Sequence, residues 1–279
     1  MTNKEAFEYM VKELSPDVGL GEATRMSQMV FEDIFLTSPN NSHSFSQDKE
    51  LDKILFRLKE GEPVQYVVGN AHFYGYVFHV NSHVLIPRPE TEELVRWVLE
   101  DLPSSGSQAD ILDIGTGSGC IGISIAKEHR LARVFALDYS LDAINVARIN
   151  AKRLKANVNF YRLNFLDEEY WHNLGMFDVL VSNPPYVDSE NRGMLADNVL
   201  KYEPEMALFA ASDDPLIFYR MICRFADAHL KEKGKIYVEL NEFRSEEIVS
   251  IFSEHSAVDN LQVRKDMQGV DRMLRVQFR

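Results

Sequence analysis

Asp110-Ile111-Leu112-Asp113-Ile114-Gly115-Thr116-Gly117-Ser118-Gly119-Cys120-Ile121-Gly122 is a short apolar run followed by a glycine-rich stretch and a second apolar start. The pattern predicts a strand, a tight turn and the opening of a helix, which is the layout of a nucleotide-type cofactor site in an α/β fold. Two readings compete for it. Gly117, Gly119 and Gly122 fit G-x-G-x-x-G, and Asp138 stands 19 residues after Gly119, as a dinucleotide site requires. Three spaced glycines alone are weak support for that reading. Asp113, two residues before Gly115, points the other way. A carboxylate there repels a pyrophosphate and attracts the amino group of a methionine-like cofactor. Asp138 ends the strand-like run Arg133-Val-Phe-Ala-Leu-Asp138, and its two carboxylate oxygens suit a pair of ribose hydroxyls.

Outward from this stretch the chain alternates between helical and extended patterns. Leu94, Val95, Val98 and Leu102 share one helical face, and Leu141 to Lys155 and Leu216 to Leu230 are further helical segments. Strands are expected near 110–114, 132–137, 157–162 and 177–182, then at Lys235-Ile-Tyr-Val-Glu239, 260–264 and 272–278. Alternation of this kind predicts a parallel sheet with helices on both faces. The first part of the chain reads as helices. Leu51, Ile54, Leu55 and Leu58 recur at helical spacing, as do Met26, Val30 and Ile34, and polar residues from Thr37 to Gln47 interrupt them. Ser44 and Gln47 have the spacing of a capping box. Aromatic and β-branched residues over 66–86, with turn signals at Gly69-Asn70 and Asn81-Ser82, predict a β-hairpin. The expected division is a helical domain over 1–65, a hairpin linker over 66–86 and an α/β domain over 87–279.

A second motif supplies chemistry. Phe177-Asp-Val-Leu-Val-Ser-Asn183-Pro184-Pro185-Tyr186 is a strand running into a loop that can grip a planar amide or exocyclic amine. Pro184 and Pro185 lack N–H groups and hold the preceding residues extended, so the loop presents carbonyl acceptors. A substrate NH₂ would donate one proton to the Asn183 side chain and the other to the Pro184 carbonyl, while Tyr186 offers a flat ring. An amide nitrogen is a poor nucleophile, and two such bonds would orient it towards an electrophile. With Asp113 and Asp138 upstream, the electrophile that fits is the sulfonium methyl of S-adenosylmethionine. Taken alone, Asn-Pro-Pro reads first as a plain turn after a strand.

Asp113-Ile-Gly-Thr-Gly-Ser-Gly119 together with Asn183-Pro-Pro-Tyr186 resembles the class I methyltransferases that modify planar amines. Ile86-Pro-Arg-Pro-Glu-Thr-Glu92 narrows the resemblance to the release-factor glutamine methyltransferases, the HemK or PrmC family. The likeness continues through Glu62-Pro-Val-Gln-Tyr66, Gly69, Phe73, Tyr202-Glu-Pro204, Ala207-Leu208, Asp266 and Asp271-Arg272. It implies a seven-stranded Rossmann-like domain, with residues 260–278 as the antiparallel pair that closes the sheet. It also implies methylation of the side-chain amide nitrogen (N5) of the glutamine in the Gly-Gly-Gln motif of class I peptide chain release factors. The residues implied for S-adenosylmethionine are Asp113, Gly115, Thr116, Gly117, Ser118, Gly119, Asp138, Asn164, Phe165 and Asn183. Those implied for methyl transfer are Asn183, Pro184, Pro185 and Tyr186. One departure stands out. Asn164-Phe165 follows the third strand where the family often has an acidic residue before an aromatic; Asn164 can still hydrogen-bond adenine and Phe165 can cover the ring.

Composition bounds the alternatives. The chain has 279 residues, 45% hydrophobic and 26% charged, which is ordinary for a soluble globular protein. No apolar run is long enough to span a bilayer, and Met1-Thr-Asn-Lys-Glu-Ala lacks a signal-peptide core, so a cytoplasmic setting and a monomer are the default expectations. Cys120 and Cys223 make neither a disulfide framework nor a zinc quartet. His79 and His83 have a metal-like spacing, but four residues of extended chain span about 13 Å, so no metal is expected. A net charge of −13 disfavours a phosphate backbone as partner. The rivals are methylation of a ribosomal-protein glutamine, methylation of the adenine amine of DNA, and a non-catalytic cofactor-binding scaffold. Pro87-Arg88-Pro89-Glu90-Thr91 reads locally as a rigid helix entry, and the resemblance implies a loop lining the cofactor or glutamine pocket with Arg88 structural. Residues 187–214 read as a long connection over the site, with Tyr202-Glu203-Pro204 as its anchor or a plain turn.

Overall fold

A computed structural model describes residues 1–38, 43–103, 108–187, 192–193, 195–210 and 214–279. Part of the polar stretch 37–47 and part of the connection 187–214 lie outside the described residues.

The chain begins with α1 (Asn3–Val18), α2 (Leu20–Asp33), α3 (Asp48–Lys59) and the short α4 (Val64–Val68). Apolar residues at helical spacing turn Met10 and Leu14 of α1, Met26 and Val30 of α2, and Leu51, Ile54, Leu55 and Leu58 of α3 into one shared core. A capping box does form, at Thr2 and Glu5 of α1: the Thr2 hydroxyl accepts from the Glu5 amide (3.2 Å) and the Glu5 carboxylate from the Thr2 amide (2.7 Å). The box expected at Ser44 and Gln47 does not. Ser44 is held in a bridge to Thr2, and Gln47 precedes α3 without a side-chain cap.

A two-stranded antiparallel hairpin follows, β1 (Asn70–Phe73) and β2 (Tyr76–His79). Its turn is Tyr74-Gly75, both left-handed with φ of 51° and 75°. Gly69 and Asn81 bracket the hairpin instead of turning it. Tyr74 tolerates its conformation because its amide is held by the Glu92 carboxylate at 2.9 Å.

Helix α5 (Pro89–Asp101) leads into the main sheet: β3 (Asp110–Ile114), α6 (Cys120–Glu128), β4 (Arg133–Asp138), α7 (Leu141–Leu154), β5 (Val158–Arg162) and β6 (Phe177–Ser182). Short helices α8 (Asp197–Tyr202) and α9 (Glu205–Leu208) precede α10 (Ile217–His229), β7 (Leu230–Glu239), α11 (Ser245–Ser253), β8 (Val258–Lys265) and β9 (Asp271–Phe278). The seven strands lie in the order β5-β4-β3-β6-β7-β9-β8. β9 is antiparallel to both its neighbours, and the remaining pairs are parallel. Alternate side chains serve two cores, as the strand period of two demands. Leu112, Leu180, Ile236 and Val238 pack with Phe225 and Phe252 of α10 and α11, while Ile111, Val179, Val181 and Tyr237 pack with Trp97 and Ile121 of α5 and α6. The chain leaves β3 outward to β4 and β5, then returns to β6 on the other side. That reversal opens a crevice at the carboxyl ends of β3 and β6, where α/β sheets bind ligands.

Candidate active site

The glycine-rich turn lies at this crevice because β3 ends at Ile114 and the chain must double back into α6. Gly117 has φ of 54° and Gly119 φ of 83°, a region costly for residues with a Cβ. A Cβ at Gly119 would stand 2.7 Å from Ile123 and 3.2 Å from Ala147, so this glycine also allows the turn to approach α7. At Gly117 nothing lies within 4 Å of that position.

Asp113 works beneath the turn. It is fully buried, and one carboxylate oxygen accepts from the Thr116 hydroxyl (2.6 Å) and the Gly122 amide (3.0 Å), while the other has no hydrogen-bond partner among the described residues. Burial pushes its carboxyl up to about 6, against the pull of those two donors. Asp138, at the end of β4, receives the Gly117 amide on one oxygen and the Ser140 amide on the other, each at 2.9 Å. Burial raises its pKa as well, the backbone amides opposing.

Strand β6 runs beside β7, with Ser182 opposite Val238, which brings Asn183 next to Glu239. The Asn183 amide group donates to the Thr91 hydroxyl (3.2 Å), and that hydroxyl donates to Glu239 Oε2 (2.6 Å). The Tyr186 hydroxyl donates to Glu239 Oε1 (3.1 Å), and the Asn241 amide donates to the Tyr186 carbonyl (2.8 Å). Burial raises the Glu239 carboxyl above its ordinary value although both hydroxyls favour its charge, and burial beside Glu239 raises the Tyr186 phenol. Arg88, the residue before α5, pairs with Glu203 at 2.6 Å, and the same carboxylate receives the Ile86 amide at 3.2 Å. Tyr202-Glu203-Pro204 is therefore an anchor.

Gly115, Thr116, Gly117, Ser118, Asp138, Asn164, Phe165, Asn183 and Pro185 line one cavity of about 970 Å³, its open mouth included. Asp113, Gly119, Pro184 and Tyr186 do not line it. Of these expected site residues, Asp113 lies buried on β3 with one carboxylate oxygen taken by the turn and the other unpartnered among the described residues. Another is Tyr186, whose partly buried ring packs against the core with its hydroxyl tied to Glu239. Phe165 borders the cavity, but its ring is fixed by Trp171 and Phe225, with centroids 5.4 and 5.3 Å away. Pro87, Arg88 and Thr91 line the cavity too, as the resemblance implied for their loop, while Glu239 was not singled out from the sequence. The available signal was an acid ending an otherwise apolar central strand, Ile236-Tyr-Val-Glu239.

A seven-stranded sheet with one reversed strand, a glycine-rich turn after its first strand, an acid ending its second and Asn-Pro-Pro-Tyr after its fourth together define a class I methyltransferase. Residues 93–206 match the methyltransferase small domain. The chain belongs to the release factor glutamine methyltransferase family. It is 44% identical over 230 residues to the release factor glutamine methyltransferase of Flavobacterium psychrophilum, covering 82% of this chain and 80% of that one. Its identity to the protein of the same name from Bacteroides thetaiotaomicron is 41% over 231 residues, covering 83% and 81%. Among solved structures, a 16S rRNA methyltransferase of T. thermophilus in complex with AdoMet and guanosine superposes with a TM-score of 0.54 at 19% identity, covering 75% of this chain and 50% of that one. A methyltransferase from Pyrococcus furiosus gives 0.52 at 18%, covering 84% and 98%. Both likenesses speak to the fold.

Proposed function

We propose that this protein transfers a methyl group from S-adenosylmethionine to the side-chain amide nitrogen of the glutamine in the Gly-Gly-Gln motif of class I peptide chain release factors. One observation carries the reading: the wall suited to a nucleoside with an amino-acid tail, Gly117 and Asp138, and the wall suited to an amide, Asn183 and Pro185, border the same cavity.

The cofactor wall fits that donor. Space is open where Gly115 and Gly117 lack a Cβ, so a ligand can approach the backbone there. Each Asp138 oxygen holds one backbone donor and keeps acceptor capacity for a ribose hydroxyl. Asn164 uses its side-chain oxygen to receive the Leu166 amide at 3.2 Å, which leaves its NH₂ to donate to an adenine ring nitrogen. When bound, S-adenosylmethionine supplies an electrophilic sulfonium methyl. Asn183, which lines the cavity, would accept one N–H of the substrate amide and aim its nitrogen, and positioning of this kind is a large part of a transfer barrier. Pro184 does not line the cavity, and its carbonyl as the second acceptor rests on the family resemblance. The proton lost from nitrogen passes to water.

The names carried by the relatives favour a release factor over a ribosomal protein. A DNA base stacked on Tyr186 is disfavoured because that ring, partly buried against the core, does not line the cavity, and the net charge of −13 opposes a phosphate backbone. The test is mass spectrometry of a purified release factor after incubation with the protein and S-adenosylmethionine. A single methyl on the Gly-Gly-Gln peptide is expected. An unmodified peptide would overturn the reading.

A further inference from the structure

Counting protons around Glu239 shows how the amide of Asn183 is held. As a carboxylate Glu239 can only accept, and it receives one proton from the Tyr186 hydroxyl and one from the Thr91 hydroxyl. The Thr91 hydroxyl has a single proton. Once that proton is given to Glu239, Thr91 can meet Asn183 only as an acceptor, and the contact at 3.2 Å is from the Asn183 NH₂. Thr91 and Glu239 are both 2% exposed, so water cannot easily reverse this order of donors. The two ends of the side-chain amide differ only in which carries hydrogen. The direction of the chain from Asn183 to Thr91 to Glu239 thus decides whether oxygen or NH₂ is turned away from Thr91.

We propose that Thr91 and Glu239 are positioning residues that set the hydrogen-bond polarity of Asn183, so that it shows an acceptor to the substrate and the site takes an NH₂-bearing side chain instead of a carboxylate. The proposal rests on the functional reading above. A flipped Asn183 would set NH₂ against NH₂ and lose the grip on glutamine. Glu239→Gln keeps the shape but can itself donate to Thr91, which frees the Thr91 proton to point at Asn183 and permits the flip. Thr91→Val removes the relay, and Thr91→Ser retains it.

The test has two readouts on the full-length protein. The first is hydrogen exchange of the Asn183 side-chain NH₂ by NMR, with the resonance assigned by its loss in Asn183→Asp. Protection is expected in wild type and Thr91→Ser, and its loss in Thr91→Val and Glu239→Gln. The second is kinetic. For Thr91→Val and Glu239→Gln, kcat on a release factor should fall by about 10- to 100-fold, the range for a misplaced positioning group. S-adenosylhomocysteine affinity should fall far less than kcat. Thr91→Val should melt lower because it leaves the buried Glu239 carboxylate a donor short, so rates are compared well below each variant's midpoint, and Thr91→Ser should recover most of the rate. Unchanged NH₂ protection in Thr91→Val overturns the proposal, and so does a wild-type kcat in that variant. Failure of the wild-type protein to methylate a release factor would instead overturn the functional reading, and the NMR readout would still decide the polarity of Asn183.

Discussion

Asp138 and Asp113 are two carboxylates at one turn with opposite duties. Asp138 borders the cavity, so Asp138→Ala should weaken S-adenosylhomocysteine binding by about 1.5–3 kcal/mol, the usual value of a hydrogen bond to a charged group. Titration calorimetry measures this, and unchanged affinity would remove the ribose contact. Asp113 bears on stability. Its carboxyl is pushed up to about 6 by burial, above its unfolded value. The folded state therefore binds the proton more tightly, and the penalty of burying the charge is full above pH 6 and vanishes as pH falls below about 4. In Asp113→Asn that dependence should disappear. The variant's stability relative to wild type, measured by thermal unfolding without added cofactor, should be highest near pH 8 and drop towards pH 4, by on the order of 3 kcal/mol. A difference flat with pH would contradict this. At this scale the motif residues were legible because each motif is contiguous. The Thr91–Glu239 contact was not, since its partners are 148 residues apart and only the sheet and α5 bring them together.

The elements read well wherever periodicity was long enough to be counted. All seven strands of the main sheet and helices α3, α7 and α10 follow alternation or 3.6-residue spacing in the sequence. The hairpin was legible as a hairpin, but its turn falls on Tyr74-Gly75, because an aromatic residue in a left-handed conformation is not a turn signal and is held there by Glu92. Helices α8 and α9, of six and four residues, are too short to show a period. Their value lies in Glu203, which follows α8 and fixes both Ile86 and Arg88. Glu203→Ala should lower stability by roughly 1–3 kcal/mol, since it leaves a buried amide and a half-buried guanidinium short of an acceptor. Glu203→Gln should lose less. Urea unfolding curves compare the two, and equal loss would show that charge, not the number of acceptors, matters.

At the scale of the molecule, α1 to α4 pack around their own core, and the connection over the cavity fastens to them. The Tyr202 hydroxyl and the Lys201 ammonium both donate to the Glu60 carbonyl, at 2.9 and 3.1 Å. All residues assigned to the transfer lie elsewhere, while a glutamine side chain alone offers little surface for choosing a protein substrate. We expect the helical region to recognise the folded release factor. Deleting residues 1–60 keeps α4 whole, and it should leave S-adenosylhomocysteine binding within a few-fold while lowering methylation of an intact release factor by about 10-fold or more. Because Val64 and Val67 lose cover in the deletion, a thermal melt must first show that it folds. Methylation at the full-length rate by a folded deletion would sink the recognition role.

The strand order carries a consequence for how the protein is made. β9 lies between β7 and β8 although it is the last of the three to be synthesised. A nascent chain ending before Asp271 therefore carries β7, and with it Glu239, on an open sheet edge that invites pairing with a neighbouring chain. The strand that ends in Glu239 acquires its permanent neighbour only when the final strand docks. Folding intermediates of this protein should thus be both inactive and prone to self-association, and chaperone dependence should be governed by the segment from Val258 to Phe278 more than by the glycine-rich turn.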